Sequence, residues 1–121
     1  MSKTVLTVDD SRTMRQMLRA ALVDAGFNVV QADDGVSGLE ALEVEKPDVI
    51  ITDINMPRLD GFGFIEGVRS APRHRAVPIL VLTTESDAAK KERARSAGAT
   101  GWIVKPFDPD KLVSAIRRVT A

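Results

Sequence analysis

Asp48-Val49-Ile50-Ile51-Thr52-Asp53 is a short run of apolar and β-branched residues with a carboxylate at each end. A strand with one wet face alternates apolar and polar side chains; this run does not, so it belongs inside a sheet covered on both faces. Val5-Leu6-Thr7-Val8, followed by Asp9-Asp10, and Ile79 to Leu82, followed by Thr83, have the same character. Phe27 to Ala32 and Gly101 to Val104 supply two further strands, the second followed by Lys105.

Helical patterns fill the gaps. Met14, Met17, Leu18, Ala21, Leu22 and Ala25 recur on one helical face, with Gly26 as the stop. Leu39 and Leu42 mark a second helix ended by Pro47, and Phe64, Ile65 and Val68 a weak third, diluted by Gly61, Gly63 and Gly67. The stretch 86–97 has only alanines as apolar residues, so its helix buries little. Leu112, Val113, Ile116 and Val119 mark the last helix, opened by Pro109. Five βα units in a row, joined by right-handed crossovers, predict an α/β fold: a (βα)5 doubly wound five-stranded parallel sheet. The expectation is a single domain over 1–121 with no output domain.

Composition narrows the class. Charged residues make up 28% and hydrophobic ones 44%, as in a folded globule. There is no cysteine, no signal-like start and no run of roughly 18 apolar residues, so a cytoplasmic protein without membrane insertion is expected. Net charge is zero, but residues 1–60 carry six basic and eleven acidic groups while residues 86–121 carry eight and four. A nucleic-acid binder would be basic overall, so none is expected; a basic end suits an acidic protein partner.

In a sheet of parallel strands, Asp9, Asp10, Asp53, Thr83 and Lys105 all fall at carboxyl ends, where open α/β sheets form their ligand crevice. Two carboxylates about 4 Å apart repel by roughly 4 kcal/mol at an effective dielectric near 20, so three in one pocket call for a cation. Lys105 offers one charge. An oxygen-ligating divalent ion, Mg²⁺ by preference, offers the rest, and Asp9, Asp10 and Asp53 are its candidate ligands. Zinc is disfavoured, because the single histidine, His74, lies between Arg73 and Arg75 in a loop and is expected to be a solvated surface residue. A carboxylate at a strand end beside such an ion can attack phosphorus, with Lys105 and the Thr83 hydroxyl or a neighbouring N–H on the phosphoryl oxygens. Met56-Pro57 and Gly61 read as a turn, with Asp60 as a local cap.

Asp9-Asp10, Asp53-Ile54-Asn55-Met56-Pro57, Asp60-Gly61, Thr83-Thr84-Glu85 and Lys105-Pro106-Phe107 resemble, in order and over the whole chain, the receiver domain of two-component response regulators, in particular stand-alone chemotaxis regulators of the CheY type. The resemblance implies strand order 2-1-3-4-5, a cis Lys105-Pro106 bond, and Asp53 as phospho-acceptor from a histidine kinase. It implies Mg²⁺ held by Asp9, Asp10, Asp53 and the Asn55 backbone carbonyl, with Lys105 on the phosphoryl group. Thr83 becomes the switch hydroxyl and Trp102 the switch aromatic, a bulkier residue than the family's usual Tyr or Phe. Asn55 and Glu85, two positions beyond Asp53 and Thr83, would set the phosphate lifetime and leave water enough access for spontaneous hydrolysis. Lys90, Lys91, Arg93, Arg95, Trp102, Lys111, Arg117 and Arg118 form the expected partner face, toward the flagellar motor switch and the kinase, on a monomer that signals rather than acts as an enzyme, beyond catalysing its own phosphorylation and dephosphorylation.

Three alternatives follow from the same residues. A phosphate sink or phosphorelay intermediate would share fold and chemistry without motor binding. A Mg²⁺-dependent phosphatase with an Asp nucleophile would need a second Asp two residues on, where Asn55 stands. A flavin carrier would need a phosphate loop after the first strand, where Asp9-Asp10-Ser11 repels phosphate.

Overall fold

The computed structural model describes residues 2–121. Among them, strands β1 (Thr4–Val8), β2 (Asn28–Ala32), β3 (Val49–Thr52), β4 (Ile79–Thr83) and β5 (Gly101–Val104) alternate with helices α1 (Arg12–Asp24), α2 (Gly35–Ala41), α3 (Gly61–Ser70), α4 (Ala88–Ala97) and α5 (Pro109–Val119). All pairings are parallel, in the order β2-β1-β3-β4-β5. This is the predicted doubly wound sheet. No helix among the described residues is long and apolar enough to cross a membrane.

Alternation along each strand decides which helical layer a side chain meets. Val5, Val49, Ile51, Leu80 and Leu82 pack with Leu18 and Leu22 of α1 and Leu112 and Ile116 of α5. Their neighbours Leu6, Val8, Ile50, Ile79 and Val81 face the other way, onto Phe62, Phe64, Ile65 and Val68 of α3 and Ala94 of α4. Successive residues of one strand thus serve both layers, which is why the central strands are apolar or β-branched throughout.

Each helix starts on an oxygen-bearing cap. Ser11, Asp34, Asp60, Asp87 and Asp108 accept the amide hydrogens of the first turns of α1 to α5, each worth about 1 kcal/mol. Gly26 (φ 93°) turns the chain after α1 and Gly98 (φ 119°) ends α4, both in the left-handed region that glycine enters without strain.

Three details differ from the sequence reading. Helix α2 stops at Ala41, six residues before Pro47; beyond Leu42 the chain offers the core nothing, since Val44 is 80% exposed, and it unwinds into turns. Helix α3 is a full ten residues, and its glycines are packing devices. A side chain at Gly61 would collide with the Asp53 carbonyl and Ile54, so glycine there lets α3 start directly behind the loop that follows Asp53. His74 is not solvated: it is buried in a 3₁₀ turn, with Nε2 2.8 Å from the Leu42 carbonyl. Packing against the end of α2, not the flanking arginines, fixes its environment.

Candidate functional site

Strands β1 and β3 are neighbours, yet the chain leaves β1 for β2 on one side and reaches β3 on the other. That reversal opens a crevice at their carboxyl ends. The register pairs Val8 with Thr52, so Asp9 and Asp53 emerge side by side, tied by the Asp53 amide donating to the Val8 carbonyl at 2.9 Å. Each can offer, together with the exposed Asp10, a carboxylate oxygen within 4.8 Å of the others. Lys105, carried in from the end of β5, bridges the two buried acids: its Nζ lies 2.9 Å from Asp9 Oδ2 and 2.8 Å from Asp53 Oδ2. The Lys105 amide donates to the Thr83 carbonyl at 2.8 Å, which fixes the root of this side chain at the end of β4. The Lys105-Pro106 bond is cis, as the resemblance implied.

One ammonium faces three carboxylates, so the pocket keeps an excess of negative charge. Burial raises the Asp9 carboxyl above its ordinary value, against the opposing bonds from Lys105 and the Ser11 amide. For Lys105, burial works to lower the ammonium's pKa, but its bonds to Asp53 and Asp9 outweigh this and raise it. The donors are all oxygens, two of the three acids are buried, and Lys105 offsets only part of their charge. That set suits a hard divalent cation such as Mg²⁺ and does not suit zinc.

The mouth of the pocket is bridged. Asn55 Nδ2 donates to Glu85 Oε1 at 3.2 Å, and Lys90 of α4 reaches the same oxygen at 3.1 Å. Glu85 is held below its ordinary carboxyl value, first by Lys90 and then by Asn55. Its backbone is tied too: the Glu85 amide donates to Thr83 Oγ1 at 3.3 Å, and its carbonyl accepts from Trp102 Nε1 at 3.1 Å. Thr83 is fully buried and Trp102 half-buried. The Thr83 hydroxyl and the Trp102 indole thus bond to the same residue, Glu85.

The response regulator receiver domain family matches residues 5–117. The chain belongs to that family. It is 37% identical over 116 residues to a probable chemotaxis protein CheY of Rhizobium etli, covering 95% of this chain and 90% of that protein. The solved chemotaxis protein CheY4 of Vibrio cholerae superposes with a TM-score of 0.94 at 44% identity, covering 98% and 99% of the two chains. The receiver domain of a Pseudomonas aeruginosa sensor histidine kinase, solved with a magnesium ion in its active-site cleft, gives 0.92 at 27% identity over 99% and 98%. Other curated relatives, transcriptional regulators among them, are longer, and this chain spans about half of their length. Receiver domains are in general signal transducers of two-component systems rather than enzymes.

The expected partner residues of this receiver do not all share one surface. Lys91, Arg95 and Trp102 line a groove of about 310 Å³ between α4 and β5, and Lys111 and Arg118 border the adjacent groove along β5 and α5. Lys90 is engaged by Glu85. Arg93 stacks over the Phe62 ring of α3, 4.0 Å from its centroid, and Arg117 lines a groove between α1 and α5. Sequence reading missed two supports. Arg15 donates to the Asp9 carbonyl at 2.7 Å, and Arg58 pairs with Asp34 at 2.6 Å. Neither pairing follows a helical or strand repeat that would have signalled it.

Proposed function

We propose that this receiver takes a phosphoryl group from a histidine kinase onto Asp53 in a Mg²⁺-dependent reaction and, once phosphorylated, binds the flagellar motor switch in chemotaxis. The observation that carries the chemistry is the Lys105 ammonium held between Asp9 and Asp53 at 2.9 and 2.8 Å, beside a third carboxylate. The metal ligands would be the carboxylates of Asp9, Asp10 and Asp53 and the Asn55 backbone carbonyl. Bound there, Mg²⁺ would offset the charge of acceptor and phosphoryl oxygens and so let them approach.

The side chains do the rest. Asp53 Oδ1 is already fixed by the Ile54 amide at 2.6 Å and Oδ2 by Lys105. An Asp53 oxygen attacks phosphorus, the bond from phosphorus to the donor histidine nitrogen breaks, and an acyl phosphate forms. Lys105 follows the transferred charge onto a phosphoryl oxygen. The Thr83 hydroxyl turns to another, leaving the Glu85 amide, and Trp102 responds through the Glu85 carbonyl. Asn55 and Glu85 line the path by which water later hydrolyses the acyl phosphate.

The motor as output rests on the chemotaxis relatives and on the basic groove of Lys91, Arg95 and Trp102, which suits an acidic partner. In this reading the domain works as a cytoplasmic monomer. The test is incubation with a small phosphodonor and Mg²⁺, mass spectrometry of the intact chain, and pull-down of motor-switch and kinase components. A gain of one phosphoryl group, absent in Asp53→Asn and absent without Mg²⁺, is expected. Phosphorylation without any change in motor-switch binding would leave a phosphate sink or relay.

A further inference from the structure

The loop from Asp53 to α3 carries Asn55, and its base is closed by the Gly61 amide donating to the Ile54 carbonyl at 2.8 Å. Its outer part leans on a different turn, the one between β2 and α2. Arg58 Nε donates to Asp34 Oδ2 at 2.6 Å, and Nη2 reaches Asp34 Oδ1 at 3.1 Å and Ser37 Oγ at 3.0 Å. A backbone bond, Gly35 amide to Leu59 carbonyl at 3.1 Å, lies alongside.

Several features make this more than a surface ion pair. The Asp34 side chain is only 6% exposed and also caps α2 through the Ser37 amide at 2.8 Å, so it cannot swing with its partner. The guanidinium meets it with two bonds, a geometry that fixes orientation as well as distance. Arg58 sits at φ 64°, the left-handed region where non-glycine residues are uncommon. Such a conformation persists where surrounding contacts over-determine it, and here the fork onto Asp34 and Ser37 does so. A side chain at Gly35 would collide with the Leu59 carbonyl, so the turn is shaped for this close approach.

We infer that Arg58 is a positioning residue for the metal site: its fork onto Asp34 and Ser37 straps the acceptor loop to the β2–α2 turn and holds the Asn55 carbonyl where the cation needs it. The inference rests on the Mg²⁺ site proposed above. Groups that orient metal ligands from outside the coordination sphere typically change affinity by about 10- to 100-fold when removed. A lost strap should fall near the lower end, because Asp9, Asp10 and Asp53 stay in place.

The test is Mg²⁺ titration calorimetry on the full chain, with thermal unfolding of the metal-free protein alongside. Wild type, Arg58→Ala, Arg58→Gly and the double variant Asp34→Asn/Arg58→Ala are compared, with Asp9→Asn as the control that removes a ligand. Glycine tolerates the backbone conformation, so a loss in Arg58→Gly is not backbone strain. The double variant removes opposite charges together, so a loss there is not electrostatic. Weakening of about tenfold in all three folded variants supports the strap, and Arg58→Lys, which keeps the charge but not the fork, should recover only part of it. Unchanged affinity in variants that melt at lower temperature reduces Arg58 to a structural role and overturns the inference. So does a loss confined to Arg58→Ala that the double variant restores. A wild type that binds no Mg²⁺, or an Asp9→Asn variant that binds it as well as wild type, overturns the site reading and the inference with it.

Discussion

Replacing Lys105 by methionine removes the ammonium bonded to both Asp9 and Asp53 while keeping most of the side chain's volume. Asp9, Asp53 and Lys105 side chains are 3%, 11% and 10% exposed. Breaking a buried ion pair costs about 3–5 kcal/mol, and the open mouth near Asp10 argues for the low end, about 3 kcal/mol. In a domain of this size that lowers Tm by on the order of 10 °C. The pH dependence carries the sharper signature. Burial already raises the Asp9 carboxyl, and loss of Lys105 raises it further. A carboxyl raised in the folded state makes folding bind protons, so the variant loses stability as pH rises from near 4 through the folded value and approaches wild type as pH falls. Mg²⁺ should also stabilise Lys105→Met more than wild type, since no ammonium competes for the acids. Urea unfolding at pH 5 and pH 7.5, with and without Mg²⁺, measures both effects. An equal deficit at the two pH values together with an equal Mg²⁺ gain would refute the view that Lys105 neutralises these acids.

Other consequences are open to simpler assays. Arg58, and after it the Ser37 amide, hold the Asp34 carboxyl below its ordinary value. That contribution is complete above pH about 4 and disappears as pH falls through the folded value, so Asp34→Asn should show a shallower loss of stability in acid than wild type in denaturant titrations. Thr83→Ala should still accept phosphate on Asp53, but its gain in partner affinity on phosphorylation should shrink, measurable by fluorescence anisotropy against a motor-switch peptide. Phe64→Ala should cost about 3–5 kcal/mol in urea unfolding, because Phe64 is fully buried in the layer under α3.

Much of this was legible in the chain because the informative signals are local. The apolar run before Asp53 and those before Asp9 and Lys105 place their charged ends on one rim as soon as the sheet is known to be parallel. The limits were equally physical. Nothing near Pro47 says that α2 ends at Ala41; that depends on what the core still has room to cover. His74 sits between two arginines, and its contact with the Leu42 carbonyl, 32 residues away, exists only once the chain has folded. Arg58 and Asp34 are 24 residues apart on turns of different units, so their pairing exists only in the folded protein. The glycines of α3 read as helix weakeners until their neighbours are known, when they prove to be the points of closest approach.

Trp102 has one more consequence. The chain contains a single tryptophan and no tyrosine, and that indole is bonded to the carbonyl of Glu85, two residues from the Thr83 hydroxyl. Its ultraviolet emission is therefore an unlabelled optical reporter wired into the segment expected to move. Stopped-flow spectroscopy can follow the domain in real time without a dye, a tag or an added reporter residue.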